Sequence, residues 1–118
     1  MYSEKVKTLF LNPPNVGPLD EPTHVGKEGS PGEGNHVVLF LRVEGDRIED
    51  AAFQTHGCPA SIASASQLAE MVKGRSVGEA LDITEGELTE ALGGLPLGKQ
   101  HCPGLAVRAL RKALADAE

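Results

Sequence analysis

Val37-Val38-Leu39-Phe40-Leu41-Arg42-Val43, then Glu44-Gly45-Asp46-Arg47, then Ile48-Glu49-Asp50-Ala51-Ala52-Phe53-Gln54-Thr55 is the stretch on which the fold turns. Its first run is apolar and β-branched, which fits a strand buried on much of both faces. The turn around Gly45-Asp46 sends the chain back as an antiparallel partner. Within that partner the apolar positions change parity from Ile48 to Ala51 and Phe53, the pattern that a β-bulge produces. The returning strand ends at Gly57-Cys58-Pro59.

Two helical patterns start at cysteines. From Ser61 to Lys73, Ile62, Ala65, Leu68, Ala69 and Val72 recur at helical spacing, with Gly74 as the stop. The last pattern follows His101-Cys102-Pro103 and carries Ala106, Ala109, Leu110, Ala113 and Leu114 as its buried stripe, with Arg108, Arg111 and Lys112 facing out. Proline suits the first helical position because its missing N–H would be an orphan there. Cys58 and Cys102, the only cysteines in the chain, therefore both fall at helix N-termini. The unpaired N–H groups and dipole of such an end favour the thiolate, the form that binds metal and attacks sulfur. With His101 adjacent, the pair suggests a metal or sulfur site; the alternative is two small buried hydrophobes.

Length and composition narrow the partners. A chain of 118 residues is read as one domain, 1–118, with a single modest core. With three Phe, one Tyr and no Trp, that core is built from Leu, Val, Ile and Ala. A net charge of −6 with scattered Lys and Arg argues against a nucleic-acid partner and for proteins or metal ions. No apolar run has the length of a membrane span, and Met1-Tyr2-Ser3-Glu4-Lys5 lacks the apolar core of a signal peptide. A cytoplasmic location is expected, where a cysteine pair reads as metal-binding or redox-active rather than as a structural disulfide.

The flanks are helical or irregular. Val6, Leu9 and Phe10 make Ser3 to Leu11 a short amphipathic helix with Ser3 as N-cap. From Asn12 to Asn35, Gly and Pro predominate, and an extended or mobile loop is expected, with His24 and His36 in or beside it as solvated side chains. Ser76 to Ala80 and Thr84 to Leu92 are two shorter helices, and Thr84 with Glu87 matches a capping box.

Taken together, these residues resemble the NifU/IscU-type iron-sulfur cluster assembly scaffolds over nearly the whole chain. Tyr2-Ser3-Glu4-Lys5-Val6 with Asn12-Pro13 and Asn15-Val16-Gly17 is similar to the family's N-terminal signature. Ile48-Glu49-Asp50-Ala51, Phe53, Thr55, Gly57-Cys58, Ile62-Ala63-Ser64 and Val72-Lys73-Gly74 resemble its central block, and Lys99, His101 and Cys102 its third. The resemblance implies an α+β fold, a small antiparallel three-stranded sheet packed against several helices. It implies a scaffold or carrier rather than an enzyme, one that accepts iron and sulfur for a labile iron-sulfur cluster. Its implied partners are a cysteine desulfurase and iron-sulfur recipient proteins.

Carried over by position, Cys58 matches the family's second cysteine, Cys102 its third and His101 the histidine before it. The first cysteine is missing: the family's Ala-Cys-Gly-Asp turn corresponds to Gly32-Glu33-Gly34-Asn35, so Glu33 stands for the cysteine and Asn35 for the aspartate. A carboxylate ligates zinc or iron as a harder donor than thiolate. The expected metal set is Cys58, Cys102, His101 and Glu33, with Asn35 accessory and Lys99 placed to attract a persulfide anion. His56 stands where the family commonly has an aromatic residue, and is read as structural or surface. Leu95-Pro96-Leu97-Gly98-Lys99 departs from the family's Leu-Pro-Pro-Val-Lys, which weakens the case for an Hsp70-type chaperone, and Pro14 replaces a usual arginine. Against the scaffold stand a zinc-binding sulfur acceptor, a non-catalytic interaction module that modulates a desulfurase, and, more weakly, a dithiol oxidoreductase.

Overall fold

A computed structural model describes residues 2–29, 36–96, 98–99 and 101–115. Its elements run α1 (Glu4–Leu11), β1 (His24–Glu28), β2 (His36–Glu44), β3 (Arg47–His56), α2 (Pro59–Val72), α3 (Val77–Leu81), α4 (Glu85–Ala91) and α5 (Cys102–Leu114). The three strands form one antiparallel sheet in the order β1-β2-β3, the α+β architecture that the resemblance implies.

The hairpin forms as its residues dictate. Gly45 takes a φ of +62° in the turn, where a side chain is disfavoured, and Glu44 pairs with Arg47 across it. The register then shifts: Arg42 faces Asp50 but Val43 faces Ile48, which leaves Glu49 as the extra residue of a bulge. That shift turns both Ile48 and Ala51 inward. β2 differs from expectation. Val37, Leu39 and Leu41 are buried, whereas Val38 and Phe40 on the other face are only half-buried. Helices cover one face alone, and the segment around Gly17 lies on the other, where a Cβ on Gly17 would sit 3.2 Å from the Phe40 ring.

β1 lies inside the stretch expected to be a loop. Its core-facing centre is Gly26, buried between exposed Val25 and Lys27, so the apolar alternation that marks a strand is missing. The glycine is there for a close approach: a Cβ would meet the Ala109 carbonyl at 2.0 Å and the Ala113 nitrogen at 2.6 Å. The α5 backbone thus rests on β1, and Arg108 and Lys112 hold Glu28 at 3.7 and 2.9 Å.

One core unites the sheet with the helices. Leu39, Leu41 and Ile48 from the strands meet Leu68 of α2, Leu88 of α4, and Leu110 and Leu114 of α5, all buried. α1 starts as expected, with the Ser3 hydroxyl accepting from the Val6 N–H at 3.1 Å, but only Val6 and Leu9 turn inward and Phe10 is exposed. Between α1 and β1 the chain is tied down. Gly17 donates to the Phe53 carbonyl at 2.7 Å, Phe53 donates to the Asn15 carbonyl at 2.9 Å, and Ser66 of α2 donates to the Pro14 carbonyl at 3.0 Å.

Candidate metal and sulfur site

β3 and α5 deliver the two thiols to one place. Cys58 is the N-cap of α2, with Pro59 in the first turn, and Cys102 is the first residue of α5, followed by Pro103. Their sulfurs lie 4.0 Å apart, too far for a disulfide and close enough to share a ligand. α2 and α5 pack on the same face of the sheet, so helix starts that are remote in sequence meet at its end. Neither start has a side-chain cap hydrogen bond.

A third side chain sits between the sulfurs. The Ser61 hydroxyl lies 3.5 Å from Cys102 Sγ and 3.8 Å from Cys58 Sγ, and Ser61 itself is buried, 1% exposed. By residue type alone it is not a candidate. The available signal was its spacing: three residues beyond the N-cap, it shares a helix face with Cys58. The other buried serines of α2 serve the backbone, Ser64 donating to Ala60 and Ser66 to Pro14.

The two thiols are electrostatically unlike. Burial opposes ionisation of Cys58, but the Ser61 N–H and hydroxyl, the Ala60 N–H and the Cys102 thiol outweigh it, and the pKa falls to about 7. Burial pushes the Cys102 thiol up; the Ser61 hydroxyl works against this, the neighbouring Cys58 sulfur adds to the rise, and the Lys99 charge offsets part of it. Cys58 is therefore the thiol of the pair that ionises first, and the nucleophile.

The remaining expected residues divide. His101 Nε2 is 3.8 Å from Cys102 Sγ on an exposed side chain. Lys99 accepts the Cys102 N–H on its carbonyl at 3.2 Å. Glu33 and Asn35 lie outside the described residues, as does Leu97. His56 is exposed and stacks on His36 with ring centroids 5.9 Å apart, so His36 is a cross-strand partner rather than a solvated loop residue. Thr55 reinforces the pairing by donating to the His36 carbonyl at 2.5 Å. Among the described residues no three His, Cys, Asp or Glu side chains converge as a metal centre does. A shallow apolar cleft of about 340 Å³ is lined by Pro13, Val16, Phe53 and Ile62 among others and by neither thiol.

A family model described as the NifU-like N terminal domain matches residues 1–118. The chain belongs to that family. The NifU-like chain is 48% identical over 116 residues to iron-sulfur cluster assembly scaffold protein IscU 1 of Archaeoglobus fulgidus, covering 98% of this chain and 76% of the relative. It is 44% identical to the scaffold protein IscU of Aquifex aeolicus, covering 98% of this chain and 74% of that one. Nitrogen fixation protein NifU of Azotobacter chroococcum is also 44% identical, but there this NifU-like chain corresponds to only 38% of a longer protein. Among solved structures, a candidate scaffold protein for the SUF system from Fervidobacterium islandicum superposes with a TM-score of 0.76 at 25% identity, covering 96% of each chain. Among the described residues no helix is long and apolar enough to cross a membrane.

Proposed function

We propose that this chain is an iron-sulfur cluster assembly scaffold in which Cys58 and Cys102 receive sulfur and hold iron, the cluster being cargo. The observation that carries this reading is the 4.0 Å approach of two thiols at two helix starts without side-chain caps. Relatives that bear the scaffold name support it. Soft thiolates suit cluster iron, and the Ala60 and Ser61 N–H groups at the α2 start favour the negative charge of Cys58.

Sulfur enters at Cys58. Its thiolate attacks the terminal sulfur of a persulfide presented by a cysteine desulfurase. The donor's S–S bond breaks, the donor leaves as a thiolate, and Cys58 becomes the persulfide. Lys99, whose charge acts on Cys102, attracts the persulfide anion, and His101 offers an imidazole beside Cys102. Glu33 and Asn35 precede His36, which pairs with His56 just before Cys58; three residues span at most about 10 Å, so Glu33 is kept as a candidate ligand. The setting is the reducing cytoplasm, with recipient proteins taking the finished cluster. An Hsp70-type chaperone is not part of the proposal.

Anaerobic reconstitution with ferrous iron and sulfide, read by visible absorption and by iron and sulfide analysis, tests this reading. Charge-transfer bands with matched iron and sulfide are expected. Colourless protein that holds stoichiometric zinc as purified, and takes up no sulfide, would overturn it in favour of a zinc-binding sulfur acceptor. That second reading is favoured by the donor set at the pair, two sulfurs and one oxygen, which is short of thiolates for a cluster.

A further inference from the structure

We propose that the Ser61 hydroxyl is the third donor of the site, completing with Cys58 and Cys102 a triangular face onto which a tetrahedral metal ion fits. This rests on the reading of the cysteine pair as the metal- and sulfur-handling site, and adds to it a residue of a different chemical type. The three donor atoms form a triangle with edges of 3.5, 3.8 and 4.0 Å. Metal–sulfur bonds of about 2.3 Å and metal–oxygen bonds of about 2.0 Å at tetrahedral angles give sulfur–sulfur edges of about 3.8 Å and sulfur–oxygen edges of about 3.5 Å. The observed triangle therefore matches the face of such a site.

Burial and anchoring favour the same role. Ser61 is 1% exposed, so water does not compete freely for its oxygen, and its place in the first turn of α2 fixes it relative to Cys58. Its hydroxyl donates to Cys102; on metal binding that proton turns away and an oxygen lone pair takes its place. The fourth vertex falls to a group on the open side, where His101 Nε2 lies 3.8 Å from Cys102 Sγ. In this arrangement the chain replaces its missing thiolate from within the first turn of α2, rather than only from the segment before β2.

Cobalt(II) titration under anaerobic, reducing conditions tests the assignment, with the native chain, Ser61→Ala, Ser61→Cys and Cys58→Ser compared. The native chain is expected to give the visible bands of tetrahedral cobalt and near-ultraviolet thiolate charge transfer. Removing a supporting group around a metal ligand costs 10- to 100-fold in affinity, so removing the ligand itself in Ser61→Ala should cost about tenfold or more and move the visible bands. Ser61→Cys, which also guards against a folding defect in the alanine variant, should raise charge-transfer intensity by about half as two thiolates become three. Unchanged affinity and bands in Ser61→Ala, or a Ser61→Cys thiol that still reacts with a thiol reagent in the cobalt form, would overturn the proposal. Cys58→Ser separates the two levels: if it binds cobalt like the native chain, the cysteine-pair reading itself fails. A native chain without a tetrahedral cobalt spectrum would also overturn the Ser61 assignment, and cluster reconstitution would then judge the parent reading independently.

Discussion

Four helices of this protein show two ways of starting. α3 and α4 open with complete capping boxes: Ser76 accepts from Glu79 N–H and Glu79 reaches back to Ser76 N–H, and Thr84 and Glu87 do the same. α2 and α5 open at Cys58 and beside Cys102 with no side-chain cap at all. The first pair spends its orphan N–H groups on its own side chains and gains stability. The second pair has no such box: at the α2 start the Ala60 and Ser61 N–H groups act on the Cys58 sulfur, 4.0 Å from that of Cys102, so positive potential is kept for thiolate charge. Within that second pair the local motif is the same, a cysteine followed by proline, yet the acidities diverge: burial opposes ionisation of both, but the Ala60 and Ser61 N–H groups act only on Cys58. Sequence sets the motif, and tertiary packing sets the chemistry.

The sharpest way to break the comparison is to remove the sulfurs. Cys58→Ser and Cys102→Ser should each lower metal affinity by about 100-fold or more, beyond the range for supporting groups, as measured by zinc competition with a chromophoric chelator. Glu33→Ala should do the same only if that carboxylate is a ligand. A smaller effect follows from lifting α5 off the sheet. Gly26→Ala places a Cβ 2.0 Å from the Ala109 carbonyl, an overpacking that should cost about 1–3 kcal/mol in urea unfolding. It should raise the reactivity of Cys102 toward thiol reagents by more than it changes that of Cys58.

The thiols should also separate by pH in the metal-free chain. Alkylation of Cys58, followed by peptide mass spectrometry, should rise to half its plateau near pH 7. Cys102 should react at least about tenfold more slowly there, a factor that each unit of pKa separation supplies. The linkage has opposite signs for the two. Cys58 has a depressed folded pKa, so its contribution to stability is complete above the unfolded thiol value and is lost as pH falls through about 7. Cys102 has a raised one, so its contribution is complete below the unfolded value and is lost as pH climbs through the folded value. Replacing Cys58 by serine should flatten the stability gain between neutral and mildly alkaline pH.

The mildest perturbation is of the capped ends. Ser76→Ala and Thr84→Ala should each cost about 1 kcal/mol of stability and leave thiol reactivity and metal affinity unchanged. If either variant altered the sulfurs, the division between structural and ligand-facing helix starts would be blurred.

How much of this was legible in the sequence depends on whether side chains carried the signal. The hairpin, its bulge, the cysteine-led helices and the Thr84–Glu87 box all advertise themselves through side-chain pattern, and each is present in the structure. β1 does not, because the residue it turns to the core is Gly26 and what it buries is helix backbone. Phe10 looked like part of a buried stripe but is exposed, since Val6 and Leu9 alone face α2. At the site, Cys58, Cys102 and His101 could be picked out by residue type. Ser61 could not, because a serine in a helix rich in Ala and Ser has no distinctive chemistry until the fold sets it between two sulfurs.

Backbone amide NMR with added zinc tests the central distinction most directly, since every helix start reports in one spectrum. Stoichiometric zinc should shift the amides of residues 57, 58, 60–62, 101, 102, 104 and 105 and leave those of 76–80 and 84–88 where they are. Shifts confined to the capped starts, or no shifts at either cysteine, would contradict the account.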